Sequence, residues 1–220
     1  MPETDDGRRQ APGSRAECRD QITGVILAGG RARRMGGDDK GLIEIGGKSM
    51  VEHVIDALKP QVGALLISAN RNLSSYRRYG YPVAPDTIGD YFGPLAGMAS
   101  AMRLAQTSLI LTAPCDAPLI PGNLVQRLCT AMETQGAQIS VVHDGERIQP
   151  VFALLRCSLL DSVTAFLRQG HRCIDRWYAQ CETVSADFSD SAEAFLNLNT
   201  PGEVTALRKR LRGTQAGTNS

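Results

Sequence analysis

The sequence predicts an α/β fold, a mostly parallel sheet flanked by helices, and three observations carry that expectation. Short β-branched or aliphatic runs alternate with amphipathic stretches along most of the chain. A glycine-rich, basic loop follows the first apolar run directly. The 220 residues, 42% hydrophobic and 21% charged, are enough for one sizeable core and too few for two.

In chain order, the strand patterns lie at 22–28, 62–69, 81–84, 108–113, 138–143, 150–155 and 195–198. Helical patterns lie between most of them. In "VEHVIDAL", Val51, Val54, Ile55 and Leu58 recur at helical spacing and make one apolar face, with His53 expected in solvent on the other. Further helices are expected at 94–105, 122–134, 159–167 and 201–211, the last entered by Thr200, Pro201 and Glu203 in a capping-box arrangement. Polar residues 1–20 and 209–220 read as disordered tails around a single domain at 21–208. In sheets of this kind ligands bind beyond the carboxyl ends of the strands, so function is sought in the residues that follow each strand.

A formal net charge of +1 gives no global pull toward nucleic acid or an anionic membrane. The six cysteines form no C-x-x-C pair and the three histidines lack metal-ligand spacing, which argues against zinc and favours reduced thiols. No apolar leader or membrane-length run is present, so a cytoplasmic protein is expected.

The loop "LAGGRARRMGGDDK" carries glycine pairs at Gly29–Gly30 and Gly36–Gly37, with Arg31, Arg33, Arg34 and Lys40. Glycines let backbone N–H groups approach a polyphosphate, arginine adds planar forks, and lysine adds a mobile point charge. A solvated basic turn is the plainer alternative. Neither named phosphate motif fits. "GLIEIGGKS" is one residue too long for a P-loop, follows a hairpin-like segment rather than the first strand and reads as a turn, and adjacent glycines 29 and 30 exclude G-x-G-x-x-G.

The stretch "GVILAGGRARRMGGDDKGL" resembles the signature L-A-G-G-x-x-x-R-M-G-x-x-K of a nucleotidyltransferase superfamily and, within it, the molybdenum cofactor guanylyltransferases. The likeness continues through "ANR" at 69–71, "APD" at 84–86, "GPLAGM" at 93–98, "PCDAPLIP" at 114–121, "HDGERIQP" at 143–150 and "FLNLNTPGE" at 195–203, covering about residues 20–208. It implies a Rossmann-like three-layer nucleotidyltransferase fold and transfer of GMP from GTP to molybdopterin, with release of pyrophosphate. A CTP-dependent or sugar-phosphate relative, or a nucleotide-binding regulator without catalysis, are the competing readings.

The resemblance implies Arg34, Lys40 and Asp116 as catalytic residues and Mg²⁺, held by Asp116, as the cofactor. One or two carboxylates plus phosphate oxygens suit that ion. From the residues alone, Asp116 could equally cap the turn before Pro118. Asp38 and Asp39 are not needed as metal ligands, and Cys115 reads as a packed thiol. GTP binding is assigned to Leu27, Ala28, Gly29, Gly30, Gly37, Lys40, Ser68, Asn70, Asp86, Gly93, Gly97 and Asp116. At position 68 the family usually has Asn; serine offers a single hydroxyl, so Asn70 or backbone groups are candidate substitutes for reading guanine.

The resemblance implies molybdopterin binding by Arg147, Asn197 and Asn199. Two asparagines two apart on a strand would face one way, although Asn199 could instead cap the following helix. His143 has no evident partner in the sequence. A monomer is expected, with no nucleic-acid or membrane partner. The resemblance leaves room for transient contacts with molybdenum-insertion proteins and target molybdoenzymes.

Overall fold

The computed structural model describes residues 15–28, 39–87 and 93–196, together with 198, 202, 203 and 205. The expected loop positions Gly29, Gly30, Arg34 and Gly37, and also Asn197 and Asn199, lie outside the described residues. In chain order the elements are α1 (Arg15–Asp20), β1 (Ile22–Leu27), a 3₁₀ turn (Lys40–Leu42), β2 (Glu44–Ile45), β3 (Lys48–Ser49), α2 (Met50–Leu58), β4 (Ala64–Ser68), α3 (Leu73–Arg77) and β5 (Val83–Ala84). There follow α4 (Pro94–Leu104), β6 (Leu109–Pro114), α5 (Leu124–Gln135), β7 (Ile139–His143), β8 (Ile148–Arg156), α6 (Leu160–Arg168), α7 (Ile174–Tyr178), β9 (Thr183–Asp187) and a 3₁₀ segment (Ser189–Phe195).

Among the described residues the main sheet has seven strands in the order β5-β4-β1-β6-β8-β7-β9. Strands β5, β4, β1 and β6 are parallel, and β8 runs antiparallel to both its neighbours. The strand order reverses at β1, which places a crevice beyond the carboxyl ends of β1 and β6.

The sheet is apolar on both faces because alternate residues of its central strands point to opposite layers. Ile26, Ile67 and Leu111 pack with Val54, Leu58, Leu128 and Phe152 on one face. Val25, Leu66 and Ile110 pack with Leu95, Met98, Val163 and Trp177 on the other. Burying each such side chain contributes about 1.5–3 kcal/mol. Helix α2 shows how the local sequence directs this. Ser49 accepts from the Glu52 N–H while the Glu52 carboxylate accepts from Ser49, and Val51, Val54, Ile55 and Leu58 are buried. The segment rejected as a P-loop is the β2–β3 hairpin, turning through Gly46 at φ 63° and Gly47 at φ 85°.

Several expectations are corrected. Residues Arg15–Asp20 form a helix rather than the end of a tail. The helix is tied down by a hydrogen bond from Arg19 Nε to the Val62 carbonyl and by a disulfide between Cys18 and Cys129 of α5, so the thiols are not all reduced. Cys115, Cys157, Cys173 and Cys181 are free. His53 is not simply solvated, because its Nε2 lies 2.8 Å from the Ile45 carbonyl and links α2 to the hairpin.

The seventh strand is β9, not 195–198. Phe195 ends the 3₁₀ segment and packs edge-on against Phe152 and Phe188, with centroids 5.0 and 5.1 Å away. Its apolar spacing therefore reports an aromatic cluster, not a ladder. Of the expected helix 201–211, Gly202, Glu203 and Thr205 are helical and the rest lies outside the described residues. No helix among the described residues is long and apolar enough to cross a membrane.

Candidate active site

The parallel register brings the strand ends level: Leu27 lies beside Ser68 and Pro114, and Ser68 beside Ala84. The residues that follow therefore emerge along one edge. Main-chain bonds continue the alignment beyond the strands, from Ala28 N–H to Ser68 O at 2.7 Å, Ala69 N–H to Ala84 O at 3.0 Å and Cys115 N–H to Leu27 O at 3.1 Å.

At the centre of this edge Lys40 Nζ donates to Asp116 Oδ2 at 3.1 Å, their side chains 22% and 12% exposed. The two residues are 76 apart in sequence and belong to the loop after β1 and the turn after β6. A carboxylate this secluded keeps its charge at low cost only beside a cation or strong donors. Cys115, next to it, is buried, and burial pushes its thiol well above the ordinary cysteine range, aided by the nearby Asp116 and Asp39 charges. Such a thiol is poorly suited to act as a nucleophile.

Towards β4 and β5, Asn70 and Asp86 clamp each other. Asn70 Nδ2 donates to Asp86 Oδ2 at 2.7 Å, and the Asp86 N–H donates back to Asn70 Oδ1 at 2.8 Å. Burial raises the Asp86 carboxyl above its ordinary value, and the Asn70 hydrogen bond pulls the other way. The asparagine expected as a substitute guanine reader is thus engaged in holding Asp86. The Asp86 loop is fastened to α4 by a 2.9 Å bond from the Thr87 N–H to Ser100 Oγ.

Helix α4 opens with Pro94 at its first turn, after Gly93 at φ 79°, a conformation that favours glycine. Gly97 lets this helix approach the strand ends. A Cβ there would lie 2.7 Å from Ser68 Oγ and 2.8 Å from Leu27 Cδ2. Ser68 itself is 2% exposed, and its short side chain leaves room for that approach.

Arg147 lies in the β7–β8 turn, at the same sheet edge as Asp116. Its N–H donates to Asp144 Oδ1 at 2.8 Å, the Glu146 N–H to the same oxygen at 2.9 Å and Gln149 Nε2 to Asp144 Oδ2 at 2.6 Å. His143 does have a partner, since its Nδ1 accepts from the Gly145 N–H at 3.1 Å. Between Asn197 and Asn199, Leu198 donates its N–H to the Asp116 carbonyl at 3.0 Å and packs with Ile45 and Met50.

Asp39, not needed as a metal ligand, lies beside the Lys40–Asp116 pair. Asp39 is 9% exposed, and its carboxylate accepts from Tyr76 Oη at 2.6 Å, Asn72 Nδ2 at 3.0 Å and the Gly41 N–H at 3.3 Å. Only its place beside Lys40 in the loop could have marked it, because its side-chain partners Asn72 and Tyr76 are remote in sequence. Among the described residues no cluster of three or more His, Cys, Asp or Glu side chains forms a metal nest.

At the strand-order switch the sheet edge presents Lys40 paired with Asp116, Asp86 held by Asn70 and a helix begun after Gly93, the place where sheets of this kind bind ligands. The MobA-like NTP transferase domain matches residues 24–184, and that match makes the chain a nucleotidyltransferase of the NTP-transferase class. The chain belongs to the molybdenum cofactor guanylyltransferase family. It is 51% identical over 191 residues to the molybdenum cofactor guanylyltransferase of Shewanella woodyi, which spans 87% of this chain and 97% of that one. The fold also matches the crystal structure of molybdopterin-guanine dinucleotide biosynthesis protein A from Archaeoglobus fulgidus, with a TM-score of 0.74 and 20% identity over 87% of this chain and 99% of that one. A 4-diphosphocytidyl-2C-methyl-D-erythritol synthase from Anaerococcus prevotii matches with a TM-score of 0.69 and 10% identity over 89% and 99%. The fold alone therefore does not select the base.

Proposed function

We propose that this enzyme transfers GMP from GTP to molybdopterin and releases pyrophosphate, forming the guanine dinucleotide. The observation that carries the proposal is the Lys40–Asp116 pair at the β1/β6 crevice, in a chain 51% identical to a named guanylyltransferase. The terminal phosphate oxygen of molybdopterin attacks the α-phosphorus of GTP in line. A new P–O bond forms as the bond to the bridging oxygen breaks, and that oxygen leaves with pyrophosphate. Both reactants are anions, so the protein's part is alignment and positive charge.

In this reading Lys40, with Arg34 and the backbone of Gly29, Gly30 and Gly37, binds the phosphates and stabilises the charge gathering on pyrophosphate. Leu27, Ala28, Ser68, Asn70, Asp86, Gly93 and Gly97 form the nucleoside side. Arg147, Asn197 and Asn199 hold molybdopterin. Asp116 fits Mg²⁺, because a buried carboxylate already facing a cation at 3.1 Å is a hard oxygen donor, and this ion needs few protein ligands when phosphates supply others. When bound, Mg²⁺ supplies Lewis-acid neutralisation of phosphate charge. The enzyme is further proposed to act in the cytoplasm as a monomer that meets molybdenum-insertion proteins and target molybdoenzymes transiently.

The test is product analysis. Purified protein incubated with GTP, Mg²⁺ and molybdopterin is expected to yield the guanine dinucleotide and pyrophosphate in equal amounts by mass spectrometry and a coupled assay. Pyrophosphate without dinucleotide, or neither, would contradict the proposal.

A further inference from the structure

We infer that Asp39 is a positioning residue for Lys40, and that Tyr76 is the rigid support through which it works; the inference rests on the proposed role of Lys40. A lysine stem is long and freely rotating, so where its ammonium sits depends on how firmly its backbone is held. Lys40 stands in a single 3₁₀ turn, closed by Leu42 N–H to Asp39 O at 2.9 Å and Ile43 N–H to Lys40 O at 3.2 Å. These two bonds close the turn on itself and do not tie it to the rest of the molecule.

The restraint comes from the Asp39 side chain. Besides the Gly41 N–H, its partners all belong to the segment that leaves β4. Tyr76 and Asn72 donate to it, and Arg71 Nε forms an ion pair at 3.8 Å. Tyr76 is fully buried in the core of one sheet face, so its hydroxyl is a fixed point. The turn is also pressed onto its neighbours. A Cβ at Gly41 would lie 2.5 Å from Tyr76 Oη and 3.2 Å from both Cβ and Sγ of Cys115. Gly41 is therefore wedged between Tyr76 and Cys115, and Lys40, the residue before it, is held where its ammonium meets Asp116.

The same short segment carries Asn70, which clamps Asp86. Residues 70–72 thus fix the nucleoside-side carboxylate and the phosphate-side lysine from one piece of backbone. Misplacement of a reacting or stabilising group by about 1 Å can cost a hundredfold in rate.

A double-mutant cycle on GMP transfer separates this role from a merely structural one. Asp39→Asn removes the charge and keeps the volume, and is expected to lower kcat about 10- to 100-fold with the KM for molybdopterin unchanged. In a Lys40→Ala background it is expected to lower kcat by less than about twofold, because its partner in catalysis is gone. Tyr76→Phe, a gentler change, is expected to follow the same pattern with a loss of about 3- to 10-fold and covers the case in which Asp39→Asn does not fold. Losses that multiply in the Lys40→Ala background would overturn the inference alone. Near-parental activity of Lys40→Ala would overturn the proposed role of Lys40 and this inference with it.

Discussion

Between β5 and β6, on the side assigned to GTP, the polar groups are secluded and bonded to one another; in the β7–β8 turn, assigned to molybdopterin, they face water. Asp116 and Asp39 are buried, each held by a cation or by donors from distant parts of the chain. Arg147 and its neighbours Gly145 and Glu146 are exposed, and the turn is organised by short-range bonds to Asp144. The contrast teaches where preorganisation resides. Secluded, mutually satisfied groups hold geometry against solvent, so the side proposed to stabilise departing charge is fixed by the fold. The turn is fixed locally, and changes there should affect binding more than chemistry.

The largest expected effects fall on the secluded side. Asp116→Ala and Lys40→Ala should each fold, yet transfer GMP about a hundred- to a thousandfold more slowly, as loss of one charge-stabilising contact at a reacting centre does. Steady-state turnover of the purified variants, with circular dichroism as the folding control, checks this. Parental turnover in either would remove that residue from the mechanism.

Next comes Gly97→Ala. The added methyl meets Ser68 Oγ and Leu27 Cδ2 at under 3 Å, and overpacking of this kind costs about 1–3 kcal/mol. The variant should show a lower melting temperature and a higher KM for GTP. An unchanged KM would mean that the closeness of α4 to the strand ends does not shape the nucleotide side.

Arg147→Ala should be milder and selective. Loss of one exposed charged hydrogen bond to an acceptor phosphate should raise the KM for molybdopterin about tenfold and leave that for GTP alone. A change in the GTP constant instead would place this turn on the wrong substrate.

The smallest effect concerns Asp144. Against the upward push of burial, bonds from the Arg147 N–H, the Gln149 amide and the Glu146 N–H lower its carboxyl from an ordinary 3.8 to about 2. A depressed carboxyl contributes stability above its unfolded value and loses it as pH falls through the folded one. Asp144→Asn should therefore melt slightly below the parent at neutral pH, and the gap should close between about pH 4 and pH 2. A gap independent of pH would mean that the charge is not what holds the turn.

Much of this architecture was legible in the sequence. The strand β1, the helix α2 and the turn at Gly46 and Gly47 follow from local patterns, and the structure keeps them, the turn joining the β2–β3 hairpin. Strand β9 was missed because it is an edge strand on which Ala186 alone is fully buried, so "TVSAD" carries little alternation. At the site, Lys40 and Asp116 were singled out separately, and the fold brings them into contact. The Asp39–Tyr76 bond joins residues 37 apart through tertiary packing, which leaves no local pattern to read. The disulfide between Cys18 and Cys129, 111 residues apart, was hidden for the same reason.

On this proposal the crevice accepts GTP and delivers GMP to molybdopterin. Comparing kcat/KM for pyrophosphate release with GTP, CTP, ATP and UTP, in the presence of molybdopterin and Mg²⁺, tests it most directly. GTP is expected to be favoured over every other nucleotide; a preference for CTP, or release that does not depend on molybdopterin, would contradict the account.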